Sequence, residues 1–237
     1  MPELRYAYSA HAPRNPLRTL LALWRALRDP ANTNEVARVQ LALLRSRTLR
    51  RFVRPDELVS ALRRDPRTAA RLRALAPFPP IDLRALARLP QGSFGRAVSD
   101  QLEPRGLDPN LVDFPAGGEE ERVLQHLYAS HDLWHVATGW GNDLAGEAGI
   151  GGFYAAQLGS PAFFAVLHAL LLLNAVFFQP SALPERNDAF AAGWEAGRRA
   201  EPLFGVDWPS LYALPLAEAR AQLGLGGARI VGEGVAA

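Results

Sequence analysis

Residues 119–147 read EEERVLQHLYASHDLWHVATGWGNDLAGE, and the reading of this stretch decides the fold. Three acids open it, as suits a helix N-terminus, where negative charge opposes the positive end of the macrodipole. Val123, Leu124, Leu127 and Tyr128 follow at helical spacing. Gly139 and Gly141 then end the helix, and Asn142 or Asp143 is placed to cap another. On the first helix His131 and His135 stand one turn apart, about 40° from each other around the axis, with Asp132 about 100° from His131. His135 lies four residues before Gly139 and Glu147 four residues after Asp143, so each is about 6 Å from the turn. If the two helices run antiparallel, two imidazoles and up to two carboxylates come level.

Such nitrogen and oxygen donors suit a divalent ion, with zinc the first choice and iron, manganese, cobalt or magnesium as alternatives, and they leave positions open for water or substrate. One of the carboxylates can instead orient an imidazole from behind. The bland alternative is a chance cluster of packing and capping side chains. A chain with five histidines and no cysteine that gathers two imidazoles and two carboxylates within residues 131–147 favours the metal. His126, about 140° round the helix from His131, reads as a core or surface residue.

Outward from this stretch, helical periodicity recurs from Pro16 to Leu223 and no alternating strand pattern persists. The expected fold is all-α: a single multi-helix domain with a helix-turn-helix metal site and a central apolar helix. Of the 237 residues, 49% are apolar and 21% charged, which is enough for one good core. Without cysteine, disulfides and thiol chemistry are excluded.

Every one of the 26 basic residues is arginine. Residues 1–110 carry 20 Arg against 10 acids, whereas residues 111–237 carry 6 against 14. Pro77, Pro79 and Pro80 mark an internal boundary between a basic N-terminal helical layer, 1–80, and the metal-site and apolar-pocket region, 81–237. Asn15-Pro16 starts a helix running to about Arg28, with Leu17, Leu20, Leu21, Trp24 and Leu27 on one side. Packing of that side on the core is the preferred reading, and contact with a membrane surface the other. Ten arginines between Arg45 and Arg73 read as a solvated face in preference to a lipid patch, and no nucleic-acid motif accompanies them. Gly92 supplies a turn and Ser93 a cap for the helix that follows. The N-terminus has no secretory signal pattern.

From Ile150 through Phe178 the chain is nearly uncharged. Pro161–Phe178 is eighteen residues long, interrupted by His168 and Asn174, and reads as a buried helix in preference to a membrane span. It serves either as the core helix or as one wall of a channel for an apolar ligand. Phe153, Tyr154, Phe163, Phe164 and His168 are the candidate substrate contacts.

His131-Asp132-x-x-His135 followed after eleven residues by Glu147 resembles the signature of the coenzyme Q biosynthesis protein 4 family. The run from Leu89 to Ala97, Asp29 to Thr33, Ala192-Gly193-Trp194 through Arg199, and the last helix from Leu216 to Leu223 are similar to that family's flanking sections. The resemblance covers most of residues 29–223, with the Arg-rich segment 45–73 and the tail after Gly226 outside it. It implies an all-helical, peripheral membrane protein acting in ubiquinone biosynthesis. Its role would be that of a scaffold binding the prenylated intermediate, or of the agent that replaces the ring carboxylate by hydroxyl. His131, Asp132, His135 and Glu147 are then the metal ligands and catalytic residues. The implied partners are a prenylated quinone precursor, a membrane surface, other ubiquinone biosynthesis proteins and a second copy of the chain, with no nucleic acid. The implied location is the inner face of a bacterial cell membrane, or the matrix side of the mitochondrial inner membrane.

Overall fold

The protein is seen in a computed structural model that describes residues 6–7, 16–45, 54–113, 117–159 and 161–226, with side chains left out at some positions of these segments. Eleven helices are present among the described residues: α1 Pro16–Arg28, α2 Thr33–Arg45, α3 Pro55–Arg64, α4 Pro66–Arg73, α5 Leu83–Leu86, α6 Phe94–Leu102, α7 Glu119–Thr138, α8 Leu144–Leu158, α9 Pro161–Phe178, α10 Leu183–Arg199 and α11 Leu216–Gln222. The β structure among the same residues is a two-residue parallel ladder, β1 Tyr6–Ala7 against β2 Val112–Asp113, and one bridge between Ser93 and Pro215. The fold is all-α.

Local chemistry sets the ends of the helices. Gly92 adopts φ 81 and the Ser93 side chain accepts from the Arg96 amide, opening α6. Gly139 adopts φ 78 and its amide donates to the His135 carbonyl, closing α7. Asp143 then accepts the Gly146 amide at 2.7 Å, so Asp143 and not Asn142 caps α8.

α8 is the best enclosed of the helices. Its buried residues run from Gly146 to Leu158, and it packs against α7, α9 and α10. Where α8 meets α10 the backbones touch: a Cβ on Gly193 would lie 1.8 Å from the Gly149 carbonyl oxygen. Only glycine allows that approach. The apolar core extends from Leu41 to Leu225, across the proline boundary at 77–80.

Two apolar faces expected inside are outside. α1 packs on α2 and α9 through Ala22, Ala26 and Leu27. Ala22 and Ala26 point away from its leucine stripe, so Leu17, Leu20, Leu21, Leu23 and Trp24 remain exposed, from 41% to 73%. α9 buries Leu170, Leu171, Asn174 and Ala175 but leaves Leu173, Val176, Phe177 and Phe178 exposed, so it is not enclosed all round. Trp24 meets Phe178 edge to face at 6.0 Å, joining the two faces into one apolar ledge. Small residues permit the closer approach, and that decides which side of α1 goes in.

A polar clasp sits beneath the ledge. The buried Arg186 of α10 donates to the Leu171 carbonyl at 2.7 Å and to Asn174 Oδ1 at 2.8 Å. The Asn174 amide donates in turn to the Leu27 carbonyl at the end of α1, at 2.8 Å.

The Arg-rich segment contains helices α3 and α4. Arg63 pairs with Glu119 at the start of α7, Arg67 with Asp65 and Glu201, and Arg71 donates to the Pro202 and Phe204 carbonyls. The basic half thus meets the acidic half, although such exposed ion pairs contribute little stability. Residues 46–53, with three of the arginines, lie outside the described residues.

Candidate metal centre

The metal site is built on the α7–turn–α8 crossing. His131, His135 and Glu147 each offer a donor atom, and all three atoms lie within 4.8 Å of one another. His135 Nε2 is 3.2 Å from His131 Nε2 and 3.4 Å from Glu147 Oε1, and His131 Nε2 is 3.8 Å from Glu147 Oε2. An ion with bonds of about 2.1 Å holds tetrahedral neighbours about 3.4 Å apart and octahedral neighbours about 3.0 Å apart. The spacing fits.

The protonation pattern fits as well. His135 is fully buried, and its Nδ1–H donates to the Trp140 carbonyl at 3.1 Å. In the neutral ring Nε2 then carries its lone pair toward His131 and Glu147, as a preset ligand does. The Tyr154 hydroxyl lies 3.4 Å from His131 Nδ1, and the two rings stack with planes 13° apart. Two imidazole nitrogens and a carboxylate that face one another need a shared proton or a cation between them.

The electrostatics say the same. Burial alone would raise the Glu147 carboxyl, but the imidazoles of His135 and His131 hold it well below the usual carboxylate range. Burial opposes charge on His131, and contact with Glu147 overcomes it and raises the pKa. Asp132 is raised by burial, against the pull of both imidazoles. Burial first, then the Asp132 and Glu147 charges, push the Tyr154 phenol well above its ordinary value and keep it protonated.

Of the four expected ligands the structure therefore brings three together, and Asp132 stands beside the set without joining it. Two histidines and a carboxylate with open positions are a donor set shared by catalytic zinc and by non-haem iron. Among the expected substrate contacts, Tyr154 stacks between Trp134, at 4.4 Å, and Phe164, at 5.1 Å. Phe153 is buried against Trp134. His168 packs on Phe190 with centroids 3.8 Å apart, and the Phe163 side chain lies outside the described residues. His126 is a satisfied core histidine: its Nε2 accepts the Gly205 amide at 3.1 Å, and burial lowers its pKa to about 4.

Two contributions had no signal in the sequence. The Trp140 carbonyl holds His135, and the Arg220 guanidinium of α11 donates to the Val136 and Ala137 carbonyls at 3.1 and 3.0 Å, capping the metal-bearing end of α7. A basic side chain suits a helix C-terminus, but 83 residues separate Arg220 from Ala137.

Known proteins resemble this chain. A Bos taurus protein named ubiquinone biosynthesis protein COQ4 homolog, mitochondrial, is 29% identical over 233 residues, covering 92% of this chain and 82% of its own. An Eremothecium gossypii protein named ubiquinone biosynthesis protein COQ4, mitochondrial, is 29% identical over 155 residues, and there the match spans 46% of the relative's length. A crystal structure of a candidate ubiquinone biosynthesis protein from Nostoc punctiforme superposes with a TM-score of 0.72 at 22% identity, covering 91% of this chain and all of that one; this likeness speaks for the fold. The family model described as coenzyme Q (ubiquinone) biosynthesis protein Coq4 matches residues 11–228, and with the His131–Glu147 site inside that span, the chain belongs to the Coq4 family of ubiquinone biosynthesis proteins.

Proposed function

We propose that the chain is a metal-dependent enzyme acting on a prenylated hydroxybenzoate at a membrane surface, where it removes the C1 carboxylate and puts a hydroxyl in its place. The observation that carries this reading is the trio of mutually facing donor atoms, with His135 preset by the Trp140 carbonyl. His131, His135 and Glu147 would hold the ion, and Asp132 is the fourth candidate donor. A bound divalent ion, zinc in our reading, would supply Lewis acidity toward the carboxylate or phenolate oxygen of the substrate.

The rest falls to the chain's own residues. Glu147 stays ionised, Tyr154 steadies the His131 ring, and the Trp134–Tyr154–Phe164 stack excludes water from one side of the site. The ring loses carbon dioxide and gains a hydroxyl, a two-electron oxidation whose oxidant, dioxygen or another acceptor, comes from outside the chain. From Phe164 to Phe178 helix α9 runs about 21 Å, connecting the aromatic wall to the exposed ledge. A ring at the metal can therefore trail its apolar tail toward a lipid surface. Among the described residues no helix is long and apolar enough to cross a membrane. The ledge lies on the surface and would be covered by the cytoplasmic face of a bacterial membrane or the matrix face of the mitochondrial inner membrane, where other ubiquinone biosynthesis proteins and a second copy of the chain are the proposed companions.

The ledge also favours a second reading, a module that presents the lipid intermediate to partner enzymes and uses the metal structurally. The variant His135→Ala separates the two. Elemental analysis should show metal falling from about one ion per chain to none, with turnover of the prenylated substrate lost. Full turnover by the metal-free variant overturns the enzyme reading, and wild-type protein that binds the lipid and turns over nothing favours the module.

A further inference from the structure

Resting on that functional reading, we propose that the space beside Gly151 on α8 is the berth of the substrate ring, and that His168 of α9 is its polar anchor. Gly151 is buried, yet a Cβ built on it would meet no described atom within 4 Å. Its neighbours differ. On Gly149 the same atom would lie 2.4 Å from the Trp140 indole, and on Gly152 it would lie 2.1 Å from the Phe190 carbonyl oxygen. Glycine at 149 and 152 answers to the packing of helices, whereas no described contact demands it at 151. A helix interior favours alanine over glycine, so the missing side chain makes room for a group from outside the chain.

Helix geometry says where that room is. Gly151 comes one turn after Glu147 and nearly one turn before Tyr154, so the three share a face of α8. Glu147 and Tyr154 both meet His131, so this is the face turned to the imidazoles. The stacked Tyr154–Phe164 pair, with planes 8° apart, borders the space with aromatic surface, an apolar neighbour that suits a ring.

An independent observation comes from α9. His168 Nδ1 is buried and has no hydrogen-bond partner, a costly condition for a polar atom. α9 reverses the chain after α8, and Phe164 lies against Tyr154. Four residues on from Phe164 therefore correspond to a step back along α8 from Tyr154 to about Gly151. Phe190 fixes the same level from the third side, since its ring meets His168 and its carbonyl stands where a Gly152 Cβ would be. Burial lowers the His168 pKa, so the imidazole is neutral and offers one N–H or one lone pair. The chemistry that satisfies both features is an aromatic ring whose hydroxyl oxygen meets the neutral His168, with its carboxylate toward the His131, His135 and Glu147 site and its tail along α9.

The test uses the full chain with its metal, and tryptophan fluorescence to follow two probes in detergent: 3-geranylgeranyl-4-hydroxybenzoate, and geranylgeraniol, which lacks the ring. Gly151→Leu should weaken the ring probe at least about tenfold while geranylgeraniol affinity, metal content and Tm stay at wild-type values. His168→Leu should weaken the ring probe by about two- to tenfold, and His168→Asn, which keeps a polar atom near the Nδ1 position, should restore it. Should Gly151→Leu fail to fold, Gly151→Ala gives the answer, with weaker ring binding and an unchanged or raised Tm. Wild-type affinity in the folded Gly151 variants, or equal losses for both probes, overturns the berth. If the wild-type protein binds neither probe, the functional reading itself falls, an outcome the variants do not mimic.

Discussion

The α8–α10 crossing and the α1–α9 ledge are both apolar, yet the first is enclosed and the second lies open. At the crossing, glycine lets two backbones touch, and everything around Gly149 is buried. At the ledge, the small residues Ala22 and Ala26 face inward and the large ones face out. The side that goes in is the side that can approach closely, and large apolar side chains follow only where space remains for them. A large apolar face left outside in this way marks a surface for something else to cover.

The contrast can be broken at four points. The largest effect belongs to the crossing: Gly193→Val, whose first side-chain atom would meet the Gly149 carbonyl, should cost more than about 4 kcal/mol, read as a fall in the urea midpoint or as insoluble protein. A stable variant would show that the helices can part. Acid should act on the enclosed side next. Unfolded, His126 binds a proton near pH 6.5, and folded only near pH 4. Between those values the unfolded chain holds more protons, so stability falls as pH drops from about 6.5 to about 4, by about 3 kcal/mol at most. His126→Gln, which keeps an acceptor for the Gly205 amide, should flatten that slope in urea titrations at several pH values.

On the ledge, the pair Leu20→Glu and Phe177→Glu should reduce partitioning onto anionic vesicles roughly hundredfold, with folding stability within about 0.5 kcal/mol of wild type. A large loss of stability would instead mean that the ledge is packed in the free protein. The smallest effect is expected for Asp143→Ala, which removes the cap of α8 and should cost about 1 kcal/mol in thermal denaturation while leaving the metal content unchanged.

These regions also differ in how far the sequence reveals them. The start of α1 at Pro16, the Ser93 cap and the glycine turn before α8 are local, since each depends on residues within one turn of the event. The His131, His135 and Glu147 site was legible for the same reason, being two short spacings on either side of one turn. Trp140 and Arg220 were not, because a backbone carbonyl carries no mark in the sequence and Arg220 reaches α7 from a distant helix. The outward face of α1 was misread because periodicity shows that a face is apolar and is silent on what covers it.

The clasp of Arg186 and Asn174 gives the ledge a mechanical meaning. The last turn of α1 hangs from the Asn174 amide, Asn174 is gripped by Arg186, and Arg186 belongs to the helix whose backbone bears on α8. The ledge is thus moored, through side-chain hydrogen bonds, to the helix that packs on the Glu147-bearing helix α8.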